Sequence, residues 1–364
     1  MPAVRHVVLV LLNLQPYGSQ RVALNLATAL KQHCKVSIVT LEKAPPFVAQ
    51  ASPDVEHVEL SRTARGPLGY LLLARRLARV YKDHRVDGVI AIGTFANIVA
   101  LTASLGWRNR PKVLVTEHGL TSVSLPSGER NATGLAWLLR RLYPRAVAVV
   151  AVSQAGASDL MVNYGLAKVD CIYNPVDSSY VRRLALAEPD AWLGVVPGAT
   201  DLICVARLNL AKGHRTLLEA MSLLGPAYRL LLIGDGPLEP ELRALSAHLG
   251  LSSRVHFSGW QSNPYPSMAA ADLLVLPSEW EGFGLVVVEA AALGTPSVVS
   301  EVGGLAEVAG LVGATTVPPG NPSLLAQAIR NATAVVAESW QEVTNPDRVA
   351  QAYLDLFDDR DEHG

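Results

Sequence analysis

The chain of 364 residues has little cysteine, few aromatic residues and no overall excess of either charge. Its three cysteines, Cys34, Cys171 and Cys204, are odd in number, far apart and lack Cys-x-x-Cys spacing. That excludes a disulfide framework and a thiolate zinc site, and it fits a reducing cytosol. A net charge of −1 gives no general attraction to nucleic acid. No run reaches the roughly eighteen consecutive apolar residues that a membrane-spanning helix needs. The N-terminal "MPAVRHVVLVLLNLQPYG" has a basic residue before an apolar run, as secretory leaders do. Here the run Val7–Leu12 is short and broken by Asn13, Gln15 and Pro16, and no small-residue cleavage site follows. A first buried strand is expected instead. The one Asp-x-Asp in the chain, Asp359–Asp361, stands in the terminal tail, so no carboxylate pair at a strand end is placed to hold a divalent cation, and chemistry without a metal or other cofactor is expected.

What is present is half hydrophobic by composition, enough for substantial cores in two domains of ordinary size. Charge is divided between the halves. Residues 1–190 carry 22 Lys/Arg against 13 Asp/Glu, and residues 191–364 carry 9 against 19. Opposite signs point to two domains meeting different partners. Short Val/Ile/Leu runs at 6–12, 35–40, 55–60, 87–93, 112–118 and 146–153 alternate with helical patterns such as 19–32 and 68–84. The alternation restarts with runs at 201–208, 228–236, 254–259, 272–278, 295–300 and 312–317. Continuous apolar runs separated by helices are the pattern of parallel sheets covered on both faces. The expected fold is therefore α/β, with two doubly wound Rossmann-like domains whose strand ends face a central cleft. Residues 1–178 form the first domain and 179–344 the second. Residues 345–364 are a terminal helix placed to return to the first domain, then a tail. The stretch 174–199 reads as the linker.

"PSEWEGFGLVVVEAAALGTPSVVS", residues 277–300, holds Glu281 and Glu289 around a Gly-Phe-Gly knuckle. With Phe283–Leu293 read as a helix, eight positions span about 12 Å. A glycosidase pair sits only about 5–9.5 Å apart, so these two acids are spaced to hold the ends of one elongated ligand. The amides of Phe283, Gly284 and Leu285 lie at the expected helix N-terminus, which favours phosphate. The plainer alternative, an N-cap acid and an exposed helical charge, stays open. Against it, Glu289 is flanked by Val286–Val288 and Ala290–Ala292, and a buried acid needs a partner. "ARLNLAKGH" places Arg207 and Lys212 after a strand, as cations for a diphosphate or as ordinary surface charges. In the first half, Gly18 opens a strand-to-helix turn in "YGSQR", and His118 in "TEHG" ends a strand.

Taken together, "EGFGLVVVE", "ARLNLAKG", "GDGP" (234–237), "NPVD" (174–177) and "GG" before Glu307 resemble family four of the retaining GT-B glycosyltransferases, over nearly the whole chain. The resemblance implies transfer of a sugar from a nucleoside diphosphate sugar with retained configuration, by a front-face mechanism without metal. It implies that Glu281 contacts the donor sugar, Glu289 the ribose, and Arg207 and Lys212 the diphosphate. His118 would stand near the reacting centre, and Gly18, Gly236, Phe283, Gly284 and Leu285 would line the donor. One loop departs from the family pattern, with Tyr17-Gly18-Ser19-Gln20-Arg21 where relatives often read Gly-Gly-Ala-Glu-Arg. Two other functions stay open: a nucleotide-sugar epimerase of the same fold, and a non-catalytic nucleotide-sugar or glycan binder.

The acceptor side is less legible. "LLLARRLARVYKDHR" (71–85) and "LLRRLYPR" (138–145) concentrate much of the first half's positive charge. A basic amphipathic helix of this kind suits an anionic membrane surface, or simply packs on the first sheet. Related enzymes with a basic first domain often build lipid-linked glycans or surface polysaccharide. The expected partners are thus a nucleotide-sugar donor and a glycan or polyprenyl-linked acceptor, with no nucleic acid. The expected location is cytoplasmic, peripheral on the inner face of the membrane.

Overall fold

The computed structural model describes residues 4–15, 18–43, 55–61, 66–105, 110–124, 130–193, 196–333 and 337–358. Tyr17, the Asp359–Asp361 pair and the terminal tail lie outside the described residues. The chain divides into two compact units, Met1–Pro175 with Val343–Gly364, and Val176–Glu342.

The first unit holds β1 (His6–Leu11), β2 (Lys35–Thr40), β3 (Glu56–Glu59), β4 (Gly88–Ile92), β5 (Lys112–Glu117), β6 (Ala148–Ala151) and β7 (Asp170–Cys171). They form one parallel sheet in the order β3-β2-β1-β4-β5-β6-β7. Successive side chains on a strand face opposite ways, and β1 shows the consequence. Val8 and Val10 join the core with α2 (Gly66–Asp83) and α3 (Thr94–Ala103), while Val7, Leu9 and Leu11 join the core with α1 (Gly18–Leu30). The C-terminal helix Pro346–Asp358 completes that second layer through Val349, Tyr353, Leu354 and Phe357. Gly88 makes room for it, since a Cβ there would stand 2.8 Å from Val4 and 3.0 Å from the Phe357 ring. β7 carries no pattern a sequence can display, being two residues long.

The second unit holds β8 (Thr200–Val205), β9 (Tyr228–Ile233), β10 (Val255–Gly259), β11 (Leu273–Leu276), β12 (Ser297–Ser300) and β13 (Thr315–Val317). These are also parallel, in the order β10-β9-β8-β11-β12-β13. Part of the expected linker is structured. Helix Ser178–Leu184 is capped by Asp177, whose carboxylate accepts from the Tyr180 amide at 2.9 Å, and Arg182 donates to the Ala292 carbonyl at 2.8 Å. Each sheet reverses direction once, between β1 and β4 in the first and between β8 and β11 in the second. At such a switch point the loops leaving the two strands part, and a crevice opens outside their carboxyl ends.

Phe357 is fully buried between the first sheet and its neighbours. Phe357→Ala should destabilise the protein by about 3–5 kcal/mol, read as a lower urea midpoint for the transition that reports the first unit.

Candidate functional site

The second crevice is bounded by the loop after β8, which carries Arg207 and Lys212, and the loop after β11, which carries Glu281. Backbone contact locks these loops together. Gly213 has φ +63°, and a Cβ there would lie 1.9 Å from the Pro277 carbonyl oxygen, so only glycine lets the loops meet. The Glu279 amide donates to the Ala211 carbonyl at 2.8 Å. On the other flank, a Cβ on Gly236 would lie 2.3 Å from the Leu208 oxygen, and the Leu208 amide donates to the Asp235 carbonyl at 2.7 Å. Gly236, expected to line the donor, is thus accounted for by this close approach, which braces the strand end bearing Arg207.

Within the crevice Lys212 and Glu281 form an ion pair, their side chains 23% and 14% exposed. At that burial the pair is screened less than a surface pair. Ser278, fully buried, also donates to the same Glu281 oxygen at 3.4 Å. Arg207 is exposed at the crevice edge. The neighbouring Asn209 has a buried carboxamide oxygen without a hydrogen-bond partner, a group the sequence did not single out.

The helix with Glu289 begins at Leu285, two residues later than expected, and ends at Leu293. Gly284 precedes it in the left-handed region, φ +89°, which no α-helix can include. A Cβ on Gly284 would stand 2.6 Å from the Leu305 side chain, so the glycine also seats this turn on helix Gly303–Val312. Phe283 is buried and anchors the turn from beneath. The first bonded amide is that of Val287, to the Gly284 carbonyl at 2.9 Å. The amides of Leu285 and Val286 therefore have no preceding helical turn to bond and face outward from the N-terminus. Glu289 is buried, as its apolar flanks implied, but a protein group already meets it: the Tyr265 hydroxyl donates to its Oε1 at 2.8 Å. Tyr265 was missed because a tyrosine eight residues before a strand carries no local signal.

In the first unit, His118 follows β5. The Thr116 hydroxyl donates to the Ala91 carbonyl at 3.0 Å, so at 3.1 Å from His118 Nε2 it must accept the ring N–H. Nδ1 then carries the lone pair, and it is buried without a partner. Burial pushes the imidazole down to about 4, leaving a neutral ring with one acceptor atom uncommitted. Beside it Glu117 is buried under donors: the Tyr143 hydroxyl, the Asn97 carboxamide at 3.0 Å and the Thr94 hydroxyl at 2.9 Å. Burial raises its pKa while these hydrogen bonds oppose the rise. Gly18 is exposed at the start of α1. Ser19 and Gln20 after it help line a cavity of about 220 Å³ at the first switch point. Among the described residues, no group of three or more His, Cys, Asp or Glu is gathered to hold a metal.

Two family models match the chain: Glycosyltransferase Family 4 over residues 16–180, and Glycosyl transferases group 1 over residues 199–334. The chain belongs to family four of the GT-B glycosyltransferases. Among its relatives is the N-acetylgalactosamine-N,N'-diacetylbacillosaminyl-diphospho-undecaprenol 4-alpha-N-acetylgalactosaminyltransferase of Campylobacter jejuni. That enzyme is 25% identical over 76% of this chain and 75% of its own length. A D-inositol 3-phosphate glycosyltransferase of Segniliparus rotundus is 36% identical over 43% of this chain, a match that spans only 37% of that protein. In overall fold the chain is similar to Anabaena HepE, solved with UDP and glucose, with a TM-score of 0.81 and 22% identity over 98% of this chain and all of that one.

His214, the residue after Gly213, is buried and held down at about 4 by burial and then by the Lys212 charge. Unfolding lets it return to its ordinary 6.5, so the unfolded chain binds the extra proton and stability falls as pH drops from 6.5 towards 4. A His214→Gln variant should lose on the order of 3 kcal/mol of this pH dependence by pH 4, measured by urea unfolding of both proteins across that range.

Proposed function

We propose that this glycosyltransferase moves a sugar from a nucleoside diphosphate sugar to a glycan or lipid-linked acceptor, with retention of configuration and without a metal. The observation that carries the reading is the Lys212–Glu281 pair in the second crevice, with Arg207 at its edge and the Leu285–Leu293 helix N-terminus beside it. A diphosphate entering there competes for Lys212 and frees the Glu281 carboxylate for the hydroxyls of the donor sugar. Arg207, Lys212 and the helix amides stabilise negative charge as the diphosphate leaves. Glu289, held by Tyr265, keeps its carboxylate oriented for the ribose hydroxyls. No side chain is asked to be a covalent nucleophile. The departing phosphate takes the proton of the acceptor hydroxyl as that oxygen attacks from the same face. His118, neutral and with Nδ1 uncommitted, offers a hydrogen-bond acceptor to a sugar hydroxyl. HepE was solved with UDP and the name of the Campylobacter relative gives a diphospho-undecaprenol acceptor, which supports a nucleotide-sugar donor and a lipid-linked acceptor.

The helix α2 supports docking of the protein on an anionic membrane. Leu73, Ala74, Leu77 and Tyr81 bury one face in the core, which is what any surface helix does. The other face is less ordinary: Leu71 and Leu72 are exposed together with Arg75, Arg79 and Lys82. No helix among the described residues is long and apolar enough to cross a membrane, so contact through this face would be peripheral.

Screening nucleotide sugars by thermal shift and then by acceptor-independent hydrolysis tests the enzyme reading. Arg207→Ala and Glu289→Ala should each reduce turnover about a hundredfold or more while leaving the far-ultraviolet circular dichroism unchanged. Transfer at the parent rate by either variant would overturn the site. In vesicle sedimentation, Arg75→Glu combined with Arg79→Glu should weaken binding to anionic liposomes about tenfold or more. Equal binding of the parent to neutral and anionic vesicles would overturn the docking.

A further inference from the structure

The hydrogen bonds around His118 have a direction that the backbone imposes. Side chains alternate along a strand. On β5, Val113 and Val115 join the core with α2 and α3, while Leu114 joins the core with α1. Thr116 continues the Leu114 side, and Glu117 takes its partners Tyr143, Asn97 and Thr94 on the other. Thr116 is completely buried inside the sheet, paired with Ile92 of β4 and Val150 of β6. Its carbonyl accepts from the Gly93 amide at 2.9 Å, and its own amide donates to Asn97 Oδ1 at 3.4 Å. Those bonds are to backbone, so the place of Thr116 does not depend on its side chain.

The Thr116 hydroxyl stands between two groups, the Ala91 carbonyl on β4 at 3.0 Å and His118 Nε2 at 3.1 Å. A carbonyl only accepts, whereas a neutral imidazole nitrogen donates or accepts according to the tautomer. With the ring proton on Nδ1, the hydroxyl would turn from Ala91 to Nε2, and Nδ1–H would be a buried donor without a partner among the described residues. With the proton on Nε2, it goes to Thr116 Oγ1, the hydroxyl goes to Ala91, and every donor is satisfied. Buried N–H groups without a partner are the rarer case in folded proteins, so the second arrangement holds. The chain from His118 through Thr116 to Ala91 therefore runs one way, and its free end is the Nδ1 lone pair. Burial pushes the ring down to about 4, which keeps it neutral and keeps Nδ1 an acceptor.

We propose that Thr116 is a positioning residue for sugar transfer: it fixes His118 as an acceptor only, so the sugar group that meets Nδ1 must be a hydrogen-bond donor, a hydroxyl or an amide N–H. A group that only accepts, such as fluorine or a carbonyl oxygen, is refused there. The contact with a sugar rests on the transferase reading above; the state of the ring rests on Thr116, Ala91 and His118 alone. Thr116 acts through the imidazole without touching the ligand.

The test uses the full chain with isotope-labelled histidine, the His118 ring signals being assigned by their loss in His118→Gln. Long-range nitrogen–proton correlation spectra at neutral pH should show a proton on Nε2 and none on Nδ1. Thr116→Val removes the hydroxyl and leaves the backbone bonds, so the tautomers should mix and the two ring-nitrogen shifts should move towards each other. Thr116→Ser should restore the parent pattern. Hydrolysis of UDP-glucose should fall about tenfold in kcat/KM in Thr116→Val and return to within about twofold in Thr116→Ser. Among analogues of UDP-glucose with a single sugar hydroxyl replaced by fluorine, one should bind the parent about tenfold more weakly than UDP-glucose, and that gap should narrow about threefold or more in Thr116→Val. A parent ring protonated on Nδ1, tautomers unchanged by Thr116→Val, hydrolysis not restored by Thr116→Ser, or fluorine tolerated at every position would each overturn the proposal. A parent that neither binds nor hydrolyses UDP-glucose counts against the transferase reading, while the ring state of the free protein still upholds or overturns the role of Thr116.

Discussion

Two loops in the second unit can meet because the residue between a short turn and the next helix has no side chain. At Gly213 the backbone passes so close to the Pro277 carbonyl that any Cβ would overlap it. That contact fixes the separation between the loop bearing Lys212 and the loop bearing Glu281, and the ion pair spans it. The neighbouring close approach at Gly236 holds the segment of Arg207 from the opposite side. These charged groups are therefore placed by backbone-to-backbone contact, with little dependence on the packing of long side chains. This is why a cation and an acid 69 positions apart in sequence can meet.

Both units also keep a carboxylate out of water, and they solve the cost in the same way. Glu117 and Glu289 are buried with neutral hydroxyl or amide donors, Tyr143, Asn97 and Thr94 for the first and Tyr265 for the second. Such donors offset part of the cost of burying an acid. In the second unit this fixes the orientation of the Glu289 carboxylate.

Much of the fold is legible in the chain itself. Runs such as "HVVLVLL" and "DLLVLPS" are apolar on both faces because both faces are covered, and each of the twelve expected runs overlaps a strand. The motif residues Arg207, Lys212, Glu281 and Glu289 could be picked out for the same reason: charges at strand ends, or inside an apolar helix, conflict with their surroundings unless they have a use. Less visible were β7, two residues long, the start of the Glu289 helix, and the partners of the buried acids. The helix start was misread because Phe283 continues the apolar pattern, while the left-handed Gly284 cannot join the helix.

By itself, then, the amino-acid order determined the two parallel sheets and which charged residues were out of place. Hydropathy and turn chemistry act over a few neighbours, so they are written locally. Tertiary structure alone decided which charge meets which: that Lys212 holds Glu281, that Tyr265 holds Glu289, and that Glu117 lies behind the first turn of α3. Those pairings join residues 23 to 69 positions apart, and only the closing of the sheets brings them within reach.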